Sequence, residues 1–266
     1  TQLQYFLKNE ALNPGEALSF EDYLTDGRKM LDFQLRYQAW RGEHIAPYCD
    51  DLIGLPDEFV VRVDLQNHDE AAFFGAPVVF IPHQLPDTQP IYAGERKYAF
   101  KDSGLPEGLK GGWYAKAHEL YEQMAEGIAK APTYLGRPVR MDPFGIWSGG
   151  PLTLAVALRG GELMTDLYED PQYVCELLDF VVEGTIERIR AHAAFFGLPF
   201  PLPEMFFADD AVQMISLKMF RQFMVPVYRK MKAGITTAER VKVHLCGDAT
   251  RHFKTLRDEV GAYEFE

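Results

Sequence analysis

The sequence predicts an α/β fold in which short strands alternate with helices, closed as a parallel barrel. Three observations carry this. From residue 138 onward, extended segments give way regularly to amphipathic helices, the signature of βα units. No Gly-x-Gly-x-x-Gly or Walker-type loop follows any strand, which removes the usual nucleotide-binding reading of an open, doubly wound sheet. Polar residues gather instead where strands end, at Asp64, Asp142, Asp209-Asp210 and His244 with Cys246. That edge is where a βα barrel builds its site.

The elements follow in order. Residues 1–55 read as an N-terminal helical extension and 56–266 as the barrel domain. Ser19 caps a helix, with Asp22 as a weaker form of the capping-box acid. From Gly27 to Trp40, the residues Met30, Leu31, Phe33, Leu35, Tyr37 and Trp40 roughly follow helical spacing. Residues 59–64 are dense in valine and make the first strand. Residues 74–81 form a second extended stretch, punctuated by Gly75, Pro77 and Pro82. Residues 83–112 are rich in proline, glycine and charge; they read as loops, either a lid, a partner surface or plain connection. A helix runs from Trp113 to Lys130.

Residues 138–146 are extended, and the Gly149-Gly150-Pro151 turn opens a helix from Leu152 to Leu158. Asp170 caps the next helix and Pro171 fits its first turn. That helix carries Val174, Leu177, Leu178, Val181, Ile186 and Ile189 on one face and ends at Gly197. A strand over 203–208, a helix from Ser216 to Lys232, a strand over 241–246, a helix over 249–258 and a last strand from Ala262 complete the alternation.

The 266 residues are 47% hydrophobic and 25% charged, enough for one large soluble domain. A formal charge of −12 excludes non-specific nucleic-acid binding, which needs a cationic surplus, and disfavours an anionic membrane surface. Cys49, Cys175 and Cys246 are odd in number and widely spaced, which points to a reducing compartment rather than a disulfide scaffold. No basic stretch followed by an apolar run opens the chain, and no window reaches the ~20 apolar residues of a membrane span. A cytoplasmic location is expected.

His244-Leu-Cys246-Gly247 is the sharpest chemical motif. Alternation along a strand places His244 and Cys246 on one face, and an imidazole beside a thiolate suits zinc. Two donors do not complete a metal site, and a buried cysteine beside a hydrogen-bonded core histidine also accounts for the tripeptide. Asp209-Asp210 is next: at most one of the two points into a barrel mouth, where it could act as base, orient a ligand or bind metal. The other reading is a loop pair in which one caps the following segment. Asp64, with Asn67 and His68 at the end of the first strand, and Asp142 before Pro143 are weaker candidates; His68 also reads as an exposed loop residue. Cys49 and Cys175 read as structural.

Several segments, in order, resemble the uroporphyrinogen decarboxylase-like superfamily. They are Gly150-Pro-Leu-Thr-Leu-Ala155 with Leu158-Arg-Gly160, and Asp170-Pro171 with Val174 and Leu177-Leu178-Asp179. Phe207-Ala-Asp-Asp210, Ile215-Ser216 and Phe220-x-x-Phe223-x-x-Pro226 follow, and then Val243-His-Leu-Cys-Gly247. The last resembles the His-x-Cys-Gly strand of the zinc-dependent methyltransferase branch. The resemblance runs from about residue 55 to the C-terminus.

It implies a (β/α)8 TIM barrel with its site at the strand C-terminal ends. It also implies that His244 and Cys246 are two of three zinc ligands. Asp209, Asp210 and Asp64 are the catalytic candidates, and Asn67, Asp142 and Gly150 the substrate-binding ones. Such methyltransferases move a methyl group between a corrinoid (methylcobalamin) carried on a partner protein and a thiol or small methylated substrate. Two departures stand out. No cysteine follows Cys246 to supply the third ligand, for which Glu264 or Glu266 could substitute, and the chain stops in a strand, so that the final βα unit is expected to be missing. Within the superfamily the rival expectation is a metal-free decarboxylase that grips substrate carboxylates through an arginine-rich N-terminal segment, faintly echoed by residues 35–41. Outside it, the rival is a barrel that binds a corrinoid protein or ligand without catalysis.

Overall fold

The computed structural model describes residues 7–8, 18–50, 53–81 and 84–265. Two compact units share the chain. One comprises Thr1–Gln66, Val78–Asp87 and Tyr114–Phe144; the other comprises Asn67–Pro77, Thr88–Trp113 and Gly145–Glu266. The division expected at residue 55 falls inside the first unit.

In the first unit, Ser19 caps helix Phe20–Thr25 by accepting from the Asp22 amide, as its sequence suggests. Asp26 then caps helix Gly27–His44 through the amides of Arg28 and Lys29. Met30, Leu31 and Phe33 form the buried side of that helix. Its neighbour is helix Tyr114–Lys130, and the approach is close enough that a Cβ on Gly27 would collide with the Leu120 carbonyl.

Strand Phe59–Val61 pairs in parallel with Arg137–Met141, which turns back through Leu135-Gly136 onto Thr133–Tyr134. The opposite edge of Phe59–Val61 is closed by side chains. The Gln34 amide group bonds both the N–H and the carbonyl of Arg62, at 3.0 and 2.8 Å. Gln38 does the same for Val60, at 3.3 and 2.9 Å. Two glutamines one helical turn apart thus satisfy backbone groups that would otherwise need another strand.

In the second unit, Phe206–Ala208, Val241–His244 and Ala262–Phe265 form a parallel three-stranded sheet in that order, and Ser148 adds a single bridge to Phe207. Phe207, Val241, Val243 and Ala262 are buried. Helix Pro171–Phe195 is the longest element, capped by Asp170 through the Tyr173 amide. Between Ser216 and Ile235 the helix widens into a π turn over Phe220–Met224 just before Pro226. Proline lacks an amide and crowds the carbonyl of the preceding turn, and the wider turn relieves both.

The α/β class and most elements agree with expectation, but the described strands do not close into a barrel. Strand pairing is confined to short ladders, the longest strand having five residues. Two expectations for 59–81 give way to a different structure. The first strand stops at Val61, and Asp69–Phe73 is a short helix, so that only Val78–Val79 of the expected 74–81 strand is extended. Gly75 at φ 94° and the ring of Pro77, which fixes its backbone and removes an amide, interrupt the rest. Among the described residues no helix is long and apolar enough to cross a membrane.

His252 gives the second unit a pH dependence. It is fully buried, stacked on Phe220 at 4.3 Å, with Nε2 3.0 Å from the Val212 carbonyl. Burial lowers its pKa below the ordinary histidine value of 6.5. A depressed folded-state pKa contributes stability above the unfolded value that is lost as pH falls through the folded one. Wild type is therefore expected to lose more stability than His252→Gln when acidified from about pH 7.5 to 5.5, read by urea unfolding.

Candidate metal and substrate site

The strand ladder sets the site. Alternation from Val241 and Val243, which face the core, turns His244 to the other side, and the chain leaves the strand so that Cys246 lies beside it. His244 Nε2 is 3.1 Å from Cys246 Sγ. Gly247, at φ 75°, makes the turn that follows, with the Gln213 side chain packed where a Cβ would stand.

Asp210 supplies a third donor. Its Oδ1 accepts the Cys246 amide at 2.7 Å, and the ligand atoms of Asp210, His244 and Cys246 all lie within 4.8 Å of one another. An imidazole nitrogen, a thiol sulfur and a carboxylate oxygen at this spacing are the donor types zinc takes, and three donors leave a tetrahedral ion one open position. Partial burial and the Asp210 carboxylate push the Cys246 thiol up, so a metal must displace its proton.

Asp209 and Asp210 divide as alternation requires. Asp209 is fully buried, and its carboxylate accepts from the amides of Leu152 and Thr153, the Thr153 hydroxyl and the Tyr228 hydroxyl, at 2.8–3.1 Å. It closes the free N-terminus of helix Pro151–Arg159, and burial pushes its carboxyl up to about 6. Asp209 therefore organises backbone, while Asp210 faces the open side.

A cavity of about 320 Å³ adjoins the three donors. Its walls include Ala71, Trp147, Leu154, Ala157 and Phe206, with Asn67, Asp69, Glu70 and Thr153 as further polar groups. Asn67 is among the lining residues. Gly149, not Gly150, is at the wall; Gly150 is the buried residue that lets helix Pro151–Arg159 approach Asp209. Asp64 and Asp142 belong to the first unit and are not among the lining residues. Asp64 accepts from Tyr23 and Gln66, and Asp142 pairs with Arg140.

Glu264 is engaged by Lys242 at 3.2 Å, and Glu266 falls outside the described residues. His68 is buried rather than exposed, while all three cysteines are free and exposed. The sequence reading missed Asp69, Glu70, Trp147 and Thr153. Two consecutive acids directly after Asn67-His68 were the available signal for the first pair.

A uroporphyrinogen decarboxylase (URO-D) family model matches residues 141–264. No curated protein matches the chain. Among solved structures, a methyltransferase from Methanosarcina mazei superposes with a TM-score of 0.60 at 14% identity. The match covers 91% of this chain and 63% of that protein, so the chain spans less than two thirds of its length. At this identity the likeness speaks to fold. The matched residues 141–264 carry Asp210, His244 and Cys246, and over that stretch the chain is similar to the uroporphyrinogen decarboxylase family.

Proposed function

We propose that this chain is a zinc-dependent methyltransferase, moving a methyl group between a corrinoid on a partner protein and a thiol or small methylated substrate. The observation that carries the proposal is the Asp210, His244 and Cys246 donor set beside a largely apolar cavity. Asp210 takes the place of the late cysteine that the resemblance implies. Zinc, when bound, would lower the pKa of a thiol and hold it as the nucleophilic thiolate. The protein's part is to bind and orient. The Cys246 amide aims Asp210, and Trp147, Leu154 and Ala157 line the cavity with apolar surface.

Charge argues against decarboxylation of a polycarboxylate. Among the described residues the cavity lining includes no lysine or arginine, and Glu70 is already paired with Arg188, so substrate carboxylates would meet Asp69 and Asp210 and find no cationic partner.

The test is zinc content and methyl transfer. Purified protein is expected to hold about one zinc per chain, and Cys246→Ser or Asp210→Ala to lose most of it while folding normally. Wild type is then expected to demethylate free methylcobalamin with a thiol present, followed by its visible spectrum. Folded protein without zinc would overturn the metal reading. Zinc without methyl transfer would favour a non-catalytic binding role.

A further inference from the structure

Arg188 is the largest fully buried side chain among the described residues, 1% exposed in the middle of helix Pro171–Phe195. Its guanidinium donates to the Gly145 carbonyl at 2.8 Å, the Trp147 carbonyl at 2.8 Å, and the Glu70 carboxylate. Glu70, itself buried, takes the Gly149 amide on its other oxygen. Three separate pieces of chain, the Asp69–Phe73 helix, the 145–150 loop and the long helix, thus meet on one ion pair. Glu70, Trp147 and Gly149 all line the cavity.

A buried ion pair is weak support for stability, because desolvation offsets its attraction, and apolar residues of similar volume often serve as well. What this pair does instead is fix geometry. The planar guanidinium fork meets three acceptors in set directions, which neither lysine nor an apolar residue reproduces. The loop it holds carries the only tryptophan of the cavity lining, and a Cβ on Gly149 would press on the Glu70 carboxylate.

We infer that Arg188 and Glu70 are a positioning pair that sets the Trp147–Gly149 wall of the cavity and thereby determines which ligands fit. The inference rests on reading the cavity as the substrate chamber. Neither residue belongs to the Asp210, His244 and Cys246 donor set, so metal binding and wall position are separable.

The chain has three tryptophans, Trp40, Trp113 and Trp147, so protein labelled with 5-fluorotryptophan gives three fluorine resonances, assigned by single Trp→Phe variants. Arg188→Met is expected to shift and broaden the Trp147 resonance while Trp40, in the other unit, and zinc content stay as in wild type. Arg188→Lys is expected to leave the shift unrestored. Should Arg188→Met not fold, Glu70→Gln reads the same resonance with little change of shape. A Trp147 resonance unmoved in folded variants overturns the inference, even if zinc is present. A shifted Trp147 in protein that holds no zinc leaves the pair standing and overturns the metal reading instead.

Discussion

Replacing Gly150 with alanine is expected to cost about 4 kcal/mol, a large share of the 5–15 kcal/mol that holds a typical domain together. Two penalties combine. The residue sits at φ 96°, a conformation that only glycine adopts without strain. Its Cβ would also lie inside the van der Waals shells of the Ala208 carbonyl and the Asp209 side chain. Neither neighbour can yield, since Ala208 is in the sheet and Asp209 is held by four hydrogen bonds. Gly161→Ala is the control. That glycine has ordinary backbone angles and open space around it, and its substitution is expected to change stability by about 0.5 kcal/mol or less. Urea unfolding of the two variants checks the contrast. A Gly150→Ala protein as stable as wild type would show that the strand end and the helix start do not depend on this contact.

Local rules were enough to read much of this. Asp170-Pro171 announces its helix because capping and proline both act within one turn, and the structure starts the helix there. His244 and Cys246 were legible as neighbours because strand alternation is local too. Alternation also separates Asp209 from Asp210, but choosing between them needs its phase, which burial in the folded sheet supplies: Phe207, paired with the buried Val243, shares its face with Asp209. Glu70 and Arg188 are 118 positions apart, and no periodic pattern connects them. The helix Asp69–Phe73 was lost for another reason: five residues are too few to show a 3.6-residue period. Barrel closure rests on long-range strand pairing, and there the described ladders stop short of the expectation.

Removing the Asp209 carboxylate is expected to do comparable damage by another route, because four donors converge on it. Asp209→Ala orphans the amides of Leu152 and Thr153 and the hydroxyls of Thr153 and Tyr228 in a fully buried site. Each unsatisfied buried group costs roughly 1–3 kcal/mol, and the hydroxyls can rotate toward other acceptors, so a loss of about 4 kcal/mol is expected. Tyr228→Phe removes one donor with its hydroxyl and is expected to cost about 1 kcal/mol.

The sign of the pH effect follows from burial. The folded-state carboxyl is raised to about 6 from 3.8, so its contribution is full below the unfolded value and lost as pH rises through about 6. The gap between wild type and Asp209→Ala, measured by urea unfolding, is accordingly expected to be wider at pH about 5 than at about 7.5. A gap that narrows on acidification would mean that the four donors hold the ionised form more tightly than burial opposes it. The proposed metal site follows the same carboxylate. The Asp209 amide bonds the His244 carbonyl at 3.2 Å, and the Thr153 hydroxyl that donates to Asp209 accepts the Ala211 amide at 3.0 Å. Asp210 lies between those two anchors. Zinc affinity in Asp209→Ala is therefore expected to fall even under conditions where the variant stays folded, whereas Tyr228→Phe, which leaves both anchors in place, is expected to keep it.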